Sequence, residues 1–437
     1  MPHYHLWTIG CQMNKAESSR IAGLLDAAGL QPCSSFDGAH VIVLNTCVVR
    51  QSAEDRIIGT LGLLEGVKRE HPETSIVVTG CFASLDKQDL SRRFPHVDLF
   101  FGPGEYEVFA GWLSHHWGTA KTVDAGCLST SLTESKQGVS AYIPIIQGCN
   151  NFCAYCIVPY TRGREVSRLP EEILAEVELL VASGTREVVL LGQNVDSYGH
   201  DLPGSPGLAD LLVQLSSIER LKRIRFLTNH PKDMSRKLIE TMASVDKVCE
   251  HLDLALQSGD DEILRAMRRR YSAEDYATLI GNIRAAMPSV SISTDIIVGF
   301  PGETEEQFQH TYDALERLRF DVVHVAMYSP RKGTLAHREY VDSVPQEVKR
   351  ERLHRVEALQ ERVAGSINAA YVGTIEEVLV QGKRRDRWFG RTKTDKLVFL
   401  TSGDSAEGQF VQVNITRSSP WALQGDLINN SEQESRR

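Results

Sequence analysis

The sequence predicts an α/β protein in three parts: an N-terminal parallel α/β domain, a central partial barrel of six β/α units, and a small all-β barrel at the C-terminus. Three observations carry this. Short apolar runs alternate with helix-like segments through most of the chain, which is the pattern of parallel sheets. Cysteines fall in phase with the ends of those runs. After about residue 370 the helical texture gives way to short β-branched stretches separated by turn residues.

In residues 1–125 the runs HLWTI, HVIVLN and SIVVTG read as buried strands, and KAESSRIAGLLDAAG as a helix between them. Each strand ends at a cysteine: Cys11, Cys47 and Cys81, separated by 36 and 34 residues, about one β/α repeat. Ligands of open parallel sheets bind beyond the carboxyl ends of the strands, so these three thiols are expected to converge. Residues 126–140 are polar and Ser/Thr-rich and read as a linker.

Residues 141–370 hold six candidate strands, AYIPIIQG, REVVLLGQN, RIRFLTNHP, HLDLALQSG, SISTDIIVGFPG and DVVHVAMYSP, each ending in polar residues or glycine. A β/α barrel carries its working groups on that rim. Residues 371–437 contain TIEEVLVQ, WFGRT, KLVFLTS and FVQVNITR, followed by a tail, NNSEQESRR, of disordered composition. Between Lys383 and Lys396 seven basic residues (Lys383, Arg384, Arg385, Arg387, Arg391, Lys393, Lys396) face two acidic ones, interleaved with Trp388 and Phe389. Such a stretch suits RNA, whose phosphates take cations and whose bases stack on aromatic rings.

The 437 residues carry a net charge of −9 with 42% hydrophobic content. That balance argues against coating nucleic acid by bulk charge. The N-terminus lacks a basic region followed by an apolar one, and no apolar run is long enough for a membrane span. A cytoplasmic protein without a membrane partner is expected. Nine cysteines without an export signal favour metal or catalytic thiolates over disulfides.

Cys149, Cys153 and Cys156 fall within eight positions of a strand-to-helix loop, with no fourth cysteine until Cys249. Thiolates select iron–sulfur clusters, zinc or copper. A four-iron cluster on three thiolates leaves one iron open, whereas clusters that only move electrons usually have four. Zinc with three ligands and water is the competing reading, and packing cysteines a third. Cys33, Cys127 and Cys249 read as packing or surface cysteines.

The stretch GCNNFCAYCIVPYTRGREVSR, with Tyr155 before the last cysteine, resembles the radical S-adenosylmethionine methylthiotransferase family. Within it the chain is most similar to the branch that makes 2-methylthio-N6-isopentenyladenosine in tRNA. TIGCQMN, NTCVVR, EVVLLGQNVDSYG, TNHPKD, LQSGDDEILRAMRRRY and STDIIVGFPGETEEQF extend the resemblance from residue 5 to about 427. It implies a (β/α)6 partial TIM barrel and a C-terminal RNA-binding barrel of the TRAM type. It implies two [4Fe-4S] clusters, a radical cluster on Cys149, Cys153 and Cys156 with S-adenosylmethionine on the open iron, and an auxiliary cluster on Cys11, Cys47 and Cys81. The implied reaction converts C2–H of N6-isopentenyladenosine at tRNA position 37 to C–S–CH3, one S-adenosylmethionine giving the 5′-deoxyadenosyl radical and another the methyl group. Tyr155, Gly192, Gln193, Asn194, Gln257, Ser258, Asp295 and Gly299 are the implied cofactor pocket. On charge and interleaved aromatic rings, Lys383, Arg384, Arg385, Arg387, Trp388, Arg391 and Lys393, with Arg268 to Arg270, are the candidate RNA contacts. The implied partners are the tRNA anticodon stem-loop, an electron donor such as flavodoxin or ferredoxin, and an iron–sulfur or sulfur supply protein, for a monomeric enzyme. Sister enzymes acting on threonylcarbamoyladenosine or on a ribosomal-protein aspartate, and a non-catalytic iron–sulfur RNA-binding protein, are the alternatives. The chain departs from the branch at Asp253, Ala255 and Asp260, which replace His, Pro and Ser, and at Lys332 and Leu335, which replace prolines.

Overall fold

The computed structural model describes residues 1–49, 51–117, 138–402 and 405–428. Most of the expected linker, Cys127 and the C-terminal tail lie outside the described residues.

The N-terminal sheet is parallel, in the order Gln31–Pro32, His3–Thr8, Val41–Thr46, Ser75–Gly80, Leu99–Phe100. Every residue of Val41–Thr46 is buried, which is why this strand reads as a continuous apolar run rather than an alternating one. The chain reverses its direction of travel between His3–Thr8 and Val41–Thr46, and at such a switch point the loops splay to open a crevice. Cys11 and Cys47 follow the two strands that flank it, and Cys81 follows the next.

All six expected strands of the central domain form, as Ser140–Pro144, Glu187–Leu191, Arg223–Phe226, His251–Asp253, Ser291–Val298 and Val322–Met327. They lie in sequence order in two parallel sheets of three, joined by bridges at Ile224–Val248 and Asn229–Leu254. Helices such as Pro170–Ala182, Ala273–Ala286 and Glu305–Leu318 cover the outside and bury Val177, Ile280 and Phe308 against the strands. The 24-residue helix Gln346–Ala369 packs beside Val322–Met327 and leads into the last domain.

The C-terminal domain is a closed barrel in the order Ile375–Arg384, Arg387–Thr392, Leu397–Ser402, Leu423–Leu427, Phe410–Ser418. Val378, Val380, Val398, Leu400, Val413, Ile415 and Leu423 fill it. The strand Leu423–Leu427 was absent from the sequence expectation. Its residues LQGDL include Gly425, where a Cβ would collide with the Asn414 carbonyl oxygen of the neighbouring strand, so close backbone approach removes the β-branched signature.

The loop from Arg391 to Lys396 caps the amino end of the central barrel. Arg223 donates to the Arg391 and Glu377 carbonyl oxygens, and Arg225 to those of Thr392 and Lys393. Arg391 pairs with Asp395, Lys393 with Asp246, and buried Lys396 with Asp321. Three of the seven cations counted in the basic stretch are therefore spent on internal acids.

Candidate active site between the two thiol triplets

The cysteine positions are set by the backbone before them. Gly80 precedes Cys81 with φ +87°, and a Cβ there would collide with Thr46. Gly148 precedes Cys149 with φ +81°, where a Cβ would collide with the Arg164 carbonyl oxygen. Only glycine takes both the left-handed conformation and the close approach. Cys11 caps the helix Gln12–Ala27, and its loop is tied to the next strand through fully buried amides. Asn14 Nδ2 donates to Asn45 Oδ1 at 2.8 Å and to the Thr46 carbonyl at 3.0 Å, while Asn45 Nδ2 donates to the Asn14 carbonyl at 2.8 Å.

The loop of Cys149, Cys153 and Cys156 is fixed from several sides. Gly148 N–H donates to Gln193 Oε1 at 2.6 Å, Ala154 N–H to the Met267 carbonyl at 2.9 Å, and Ala336 N–H to the Ala154 carbonyl at 2.7 Å. Arg269, buried, donates to Cys153 Sγ at 3.5 Å and to the Ala255 carbonyl at 2.7 Å.

Both triplets line one cavity of about 850 Å³. Cys11, Cys47 and Cys81 reach it from the N-terminal domain, and Cys149, Cys153 and Cys156 from the central one. Of the expected pocket residues, Tyr155, Gly192, Gln193, Asn194, Gln257 and Asp295 line it, whereas Ser258 and Gly299 do not. Ser258 is buried against Thr311, and the Gly299 N–H is held by Glu303. Both follow lining residues in the chain, Gln257 and Ile297, at points where the chain has turned away from the cavity.

The donor set fits clusters and an organic ligand. Burial pushes the Cys47 and Cys149 thiols up to about 11 and the Cys156 thiol up to about 12, so these groups stay protonated until a metal stabilises the thiolate. Among the described residues no three His, Cys, Asp or Glu side chains close on a single ion. Three thiols around a cubane of irons and sulfides stand further apart than three thiols on one zinc. Asn194 Oδ1 and Gln257 Oε1 are buried with no hydrogen-bond partner among the described residues, and Gln257 is held at φ +74°. Buried acceptors of this kind are normally satisfied, so a ligand with N–H groups is the expected complement.

Among the lining residues absent from the site residues expected from the sequence are Arg162, His230 and Arg331. Arg331 pairs with Glu54 at 3.0 Å and so ties the two domains together at the cavity edge. Arg269 also lines the cavity, although its run Arg268 to Arg270 reads as a phosphate contact. Its neighbours are exposed, but Arg269 points inward to Cys153. Nothing local in RRR distinguishes the middle arginine from the outer two.

Behind the wall, buried Asp196 accepts from Asn229 Nδ2 at 2.5 Å and from His230 N–H at 3.0 Å. Burial outweighs both bonds and pushes its carboxyl up to about 7. The folded value lies above the ordinary one, so this contribution to stability is intact below about pH 4 and is lost as pH rises through about 7. Asp196→Asn should flatten the pH dependence of metal-free protein stability between those values, by on the order of 4 kcal/mol. Urea unfolding at both ends of the range checks this, and an unchanged slope contradicts it. Burial also lowers His230 to about 2, so its ring is neutral at the cavity wall.

Four of the five departures, Asp253, Asp260, Lys332 and Leu335, lie off the cavity. Asp260 caps the helix Asp261–Ala266 by accepting from Glu262 and Ile263 N–H, as serine would. Asp253 contacts Ser293. Ala255 lines the cavity and lends its carbonyl to Arg269. Cys33 is half-buried with Sγ near the Ser35 carbonyl, and Cys249 is buried beside Arg225 at the capped end of the barrel.

Comparison with known proteins agrees with this architecture. Residues 143–315 match the radical SAM superfamily, residues 3–102 the uncharacterized protein family UPF0004, and residues 369–428 the TRAM domain. The fold is shared with the radical S-adenosylmethionine methyltransferase TsrM from Kitasatospora setae, at 15% identity and TM-score 0.55 over 77% of this chain and 74% of that one. A tRNA-2-methylthio-N(6)-dimethylallyladenosine synthase of Dehalococcoides mccartyi is 48% identical over 99% of this chain and 100% of its own length. Those of Dictyoglomus thermophilum and Chloroflexus aurantiacus are 46% and 44% identical, over 98% and 99% of this chain and 99% and 94% of theirs. With that identity sustained from end to end, the chain belongs to the tRNA-2-methylthio-N(6)-dimethylallyladenosine synthase family.

Proposed function

We propose that this protein is a tRNA methylthiotransferase that replaces C2–H of N6-isopentenyladenosine at position 37 by C–S–CH3. One observation carries the reading: two incomplete thiol triplets, from two domains, line one cavity that also holds unpartnered amide oxygens. In this assignment Cys149, Cys153 and Cys156 hold the radical cluster, and Cys11, Cys47 and Cys81 the auxiliary one. When bound, the two [4Fe-4S] clusters and S-adenosylmethionine supply the 5′-deoxyadenosyl radical, the sulfur and the methyl group.

The chain's own part is placement. Gln193 fixes the triplet loop through Gly148, and Asn194 and Gln257 offer acceptors to the amino groups of the cofactor. Arg269 steadies Cys153. Placement of both triplets on one cavity between the domains holds the reacting groups in line, which lowers the entropic part of the barrier.

The substrate is reached by the C-terminal barrel. At its hairpin turn Lys383, Arg384, Arg385 and Arg387 are exposed, with Lys383 4.4 Å from the centre of the Trp388 ring and Arg384 5.2 Å from that of Phe389. Replacing these four cations by glutamine should lower the slope of log affinity for the anticodon stem-loop against log salt by about 3, at about 0.7–0.9 per phosphate contact. Lys393→Gln, whose partner is Asp246, should leave the slope unchanged. Filter binding across a salt series separates the two, and equal slopes contradict the placement.

A flavodoxin- or ferredoxin-like electron donor, a sulfur supply protein, a monomeric state and a cytoplasmic location complete the proposal. Among the described residues no helix is long and apolar enough to cross a membrane. Nucleoside analysis of tRNA from a strain lacking the gene tests it. The methylthio-isopentenyl nucleoside should vanish and return on complementation. An unchanged level, or loss of methylthio-threonylcarbamoyladenosine instead, overturns the substrate.

A further inference from the structure

Each thiol triplet receives a hydrogen bond from one buried arginine, but the two arginines are balanced differently. Arg269 donates to Cys153 Sγ and rests on the Ala255 carbonyl and Tyr271, and among the described residues no carboxylate lies within ion-pair distance of it. Arg162 donates from Nε to Cys81 Sγ at 3.2 Å, and its two terminal nitrogens grip Glu17, Nη1 to Oε1 at 2.7 Å and Nη2 to Oε2 at 3.2 Å. The Arg162 and Glu17 side chains are 2% and 7% exposed.

The donor and its acceptor belong to different domains. Arg162 ends the short helix Val158–Thr161, which follows Cys156 directly, whereas Glu17 lies on the helix that begins after Cys11. One guanidinium therefore touches a ligand of one triplet while anchored in the segment of the other. A buried pair is a poor source of net stability, because desolvation offsets most of its attraction. A latch alone would not need the Nε–H aimed at sulfur. Met13 and Ala16 already pack against Val189 and Leu191 across the same junction, and Arg20 pairs with Glu176 there.

We infer that Arg162 and Glu17 form a positioning pair that sets the electron affinity of the auxiliary cluster from the radical domain. The inference rests on the reading of Cys11, Cys47 and Cys81 as cluster ligands. Hydrogen bonds and positive charge at ligand sulfur stabilise the reduced, more negative cluster and raise its potential. Glu17 cancels most of the charge and leaves the directed N–H···S bond. Cys153, facing an uncompensated Arg269, has the larger cationic bias. The two sites are thus built with unequal tuning, which helps keep the sulfur-bearing cluster from acting as the sink for the electron meant to cleave S-adenosylmethionine.

The pair makes a prediction of sign that a purely structural contact does not. In full-length protein carrying C149A/C153A/C156A, only the auxiliary cluster should assemble, with about four irons. Against this parent, E17Q leaves Arg162 uncompensated and should move the midpoint potential positive. R162Q/E17Q removes both the charge and the N–H···S bond without stranding either partner, and should move it negative. Each shift should be at least tenfold in the reduction equilibrium, about 59 mV for one electron. Redox titration followed by electron paramagnetic resonance reads both. Midpoints that stay within that bound, shifts of the same sign, or loss of iron from both variants while the parent keeps it would overturn the inference. A parent that holds no iron would instead overturn the ligand assignment of Cys11, Cys47 and Cys81.

Discussion

Alanine at Cys149, Cys153 and Cys156 should leave about four of about eight irons per chain and abolish cleavage of S-adenosylmethionine. Alanine at Cys11, Cys47 and Cys81 should also leave about four irons, yet retain cleavage to 5′-deoxyadenosine while the methylthio product disappears. The asymmetry follows from placement. The first triplet sits on the rim of the β/α barrel, which also supplies Gly192, Gln193, Asn194 and Gln257, the proposed cofactor contacts, to the cavity. The second comes from the N-terminal domain, which also contributes Gln51, Ser52 and Asp55 to the lining. Removing one set leaves the other domain's backbone intact, because each loop is fixed within its own domain by Gly148–Gln193 or by Asn14–Asn45. Iron assay and chromatography of 5′-deoxyadenosine check both variants. Cleavage that survives loss of Cys149, Cys153 and Cys156 would contradict the assignment of the radical site.

Glu303→Ala should destabilise the central domain by about 3–5 kcal/mol, the cost of stranding one partner of a buried ion pair. Glu303 Oε2 accepts from Arg352 Nη1 at 2.7 Å and from the Gly299 N–H at 2.6 Å, with both side chains almost fully buried. Burial raises the Glu303 carboxyl above its ordinary value, and the Gly299 and Arg352 contacts oppose that rise. The motif GFPGETEEQ thus works chiefly as a structural clamp, since Gly299 is turned away from the cavity and toward Lys349 and Glu303. A fall in melting temperature on the order of 10 °C is expected, with cofactor cleavage below the transition nearly unchanged. Glu303→Gln, which keeps an acceptor for Gly299, should lose less. A stable Glu303→Ala protein without cleavage activity would contradict the clamp and move this loop into the site.

Much of this molecule is legible in its sequence, for identifiable reasons. Buried parallel strands declare themselves as apolar runs, and the thiols that end His3–Thr8, Val41–Thr46 and Ser75–Gly80 share their phase with the β/α repeat. Their convergence on one cavity follows from topology alone. What stays hidden is whatever depends on long-range pairing. Arg162 meets Glu17 across 145 residues and Arg269 meets Cys153 across 116, and neither arginine differs locally from an exposed one. The same limit hides the internal pairing of three of the seven cations in the basic stretch. Lys383 to Arg387 form an exposed turn, whereas Arg391, Lys393 and Lys396 are drawn into the cap of the barrel by Asp395, Asp246 and Asp321. Composition lends these residues one character, and acids both within the loop and on other elements divide them.

The central claim, that two facing open clusters insert sulfur into a prenylated adenosine, is tested most directly by anaerobic reconstitution with iron and sulfide and a single assay. Reduced protein would be given S-adenosylmethionine and the anticodon stem-loop with or without the isopentenyl group. The account predicts 5′-deoxyadenosine together with the 2-methylthio nucleoside on the prenylated RNA, and no methylthio product on the unprenylated one. Cofactor cleavage with no methylthio nucleoside on the prenylated RNA, from protein holding about eight irons, would contradict it.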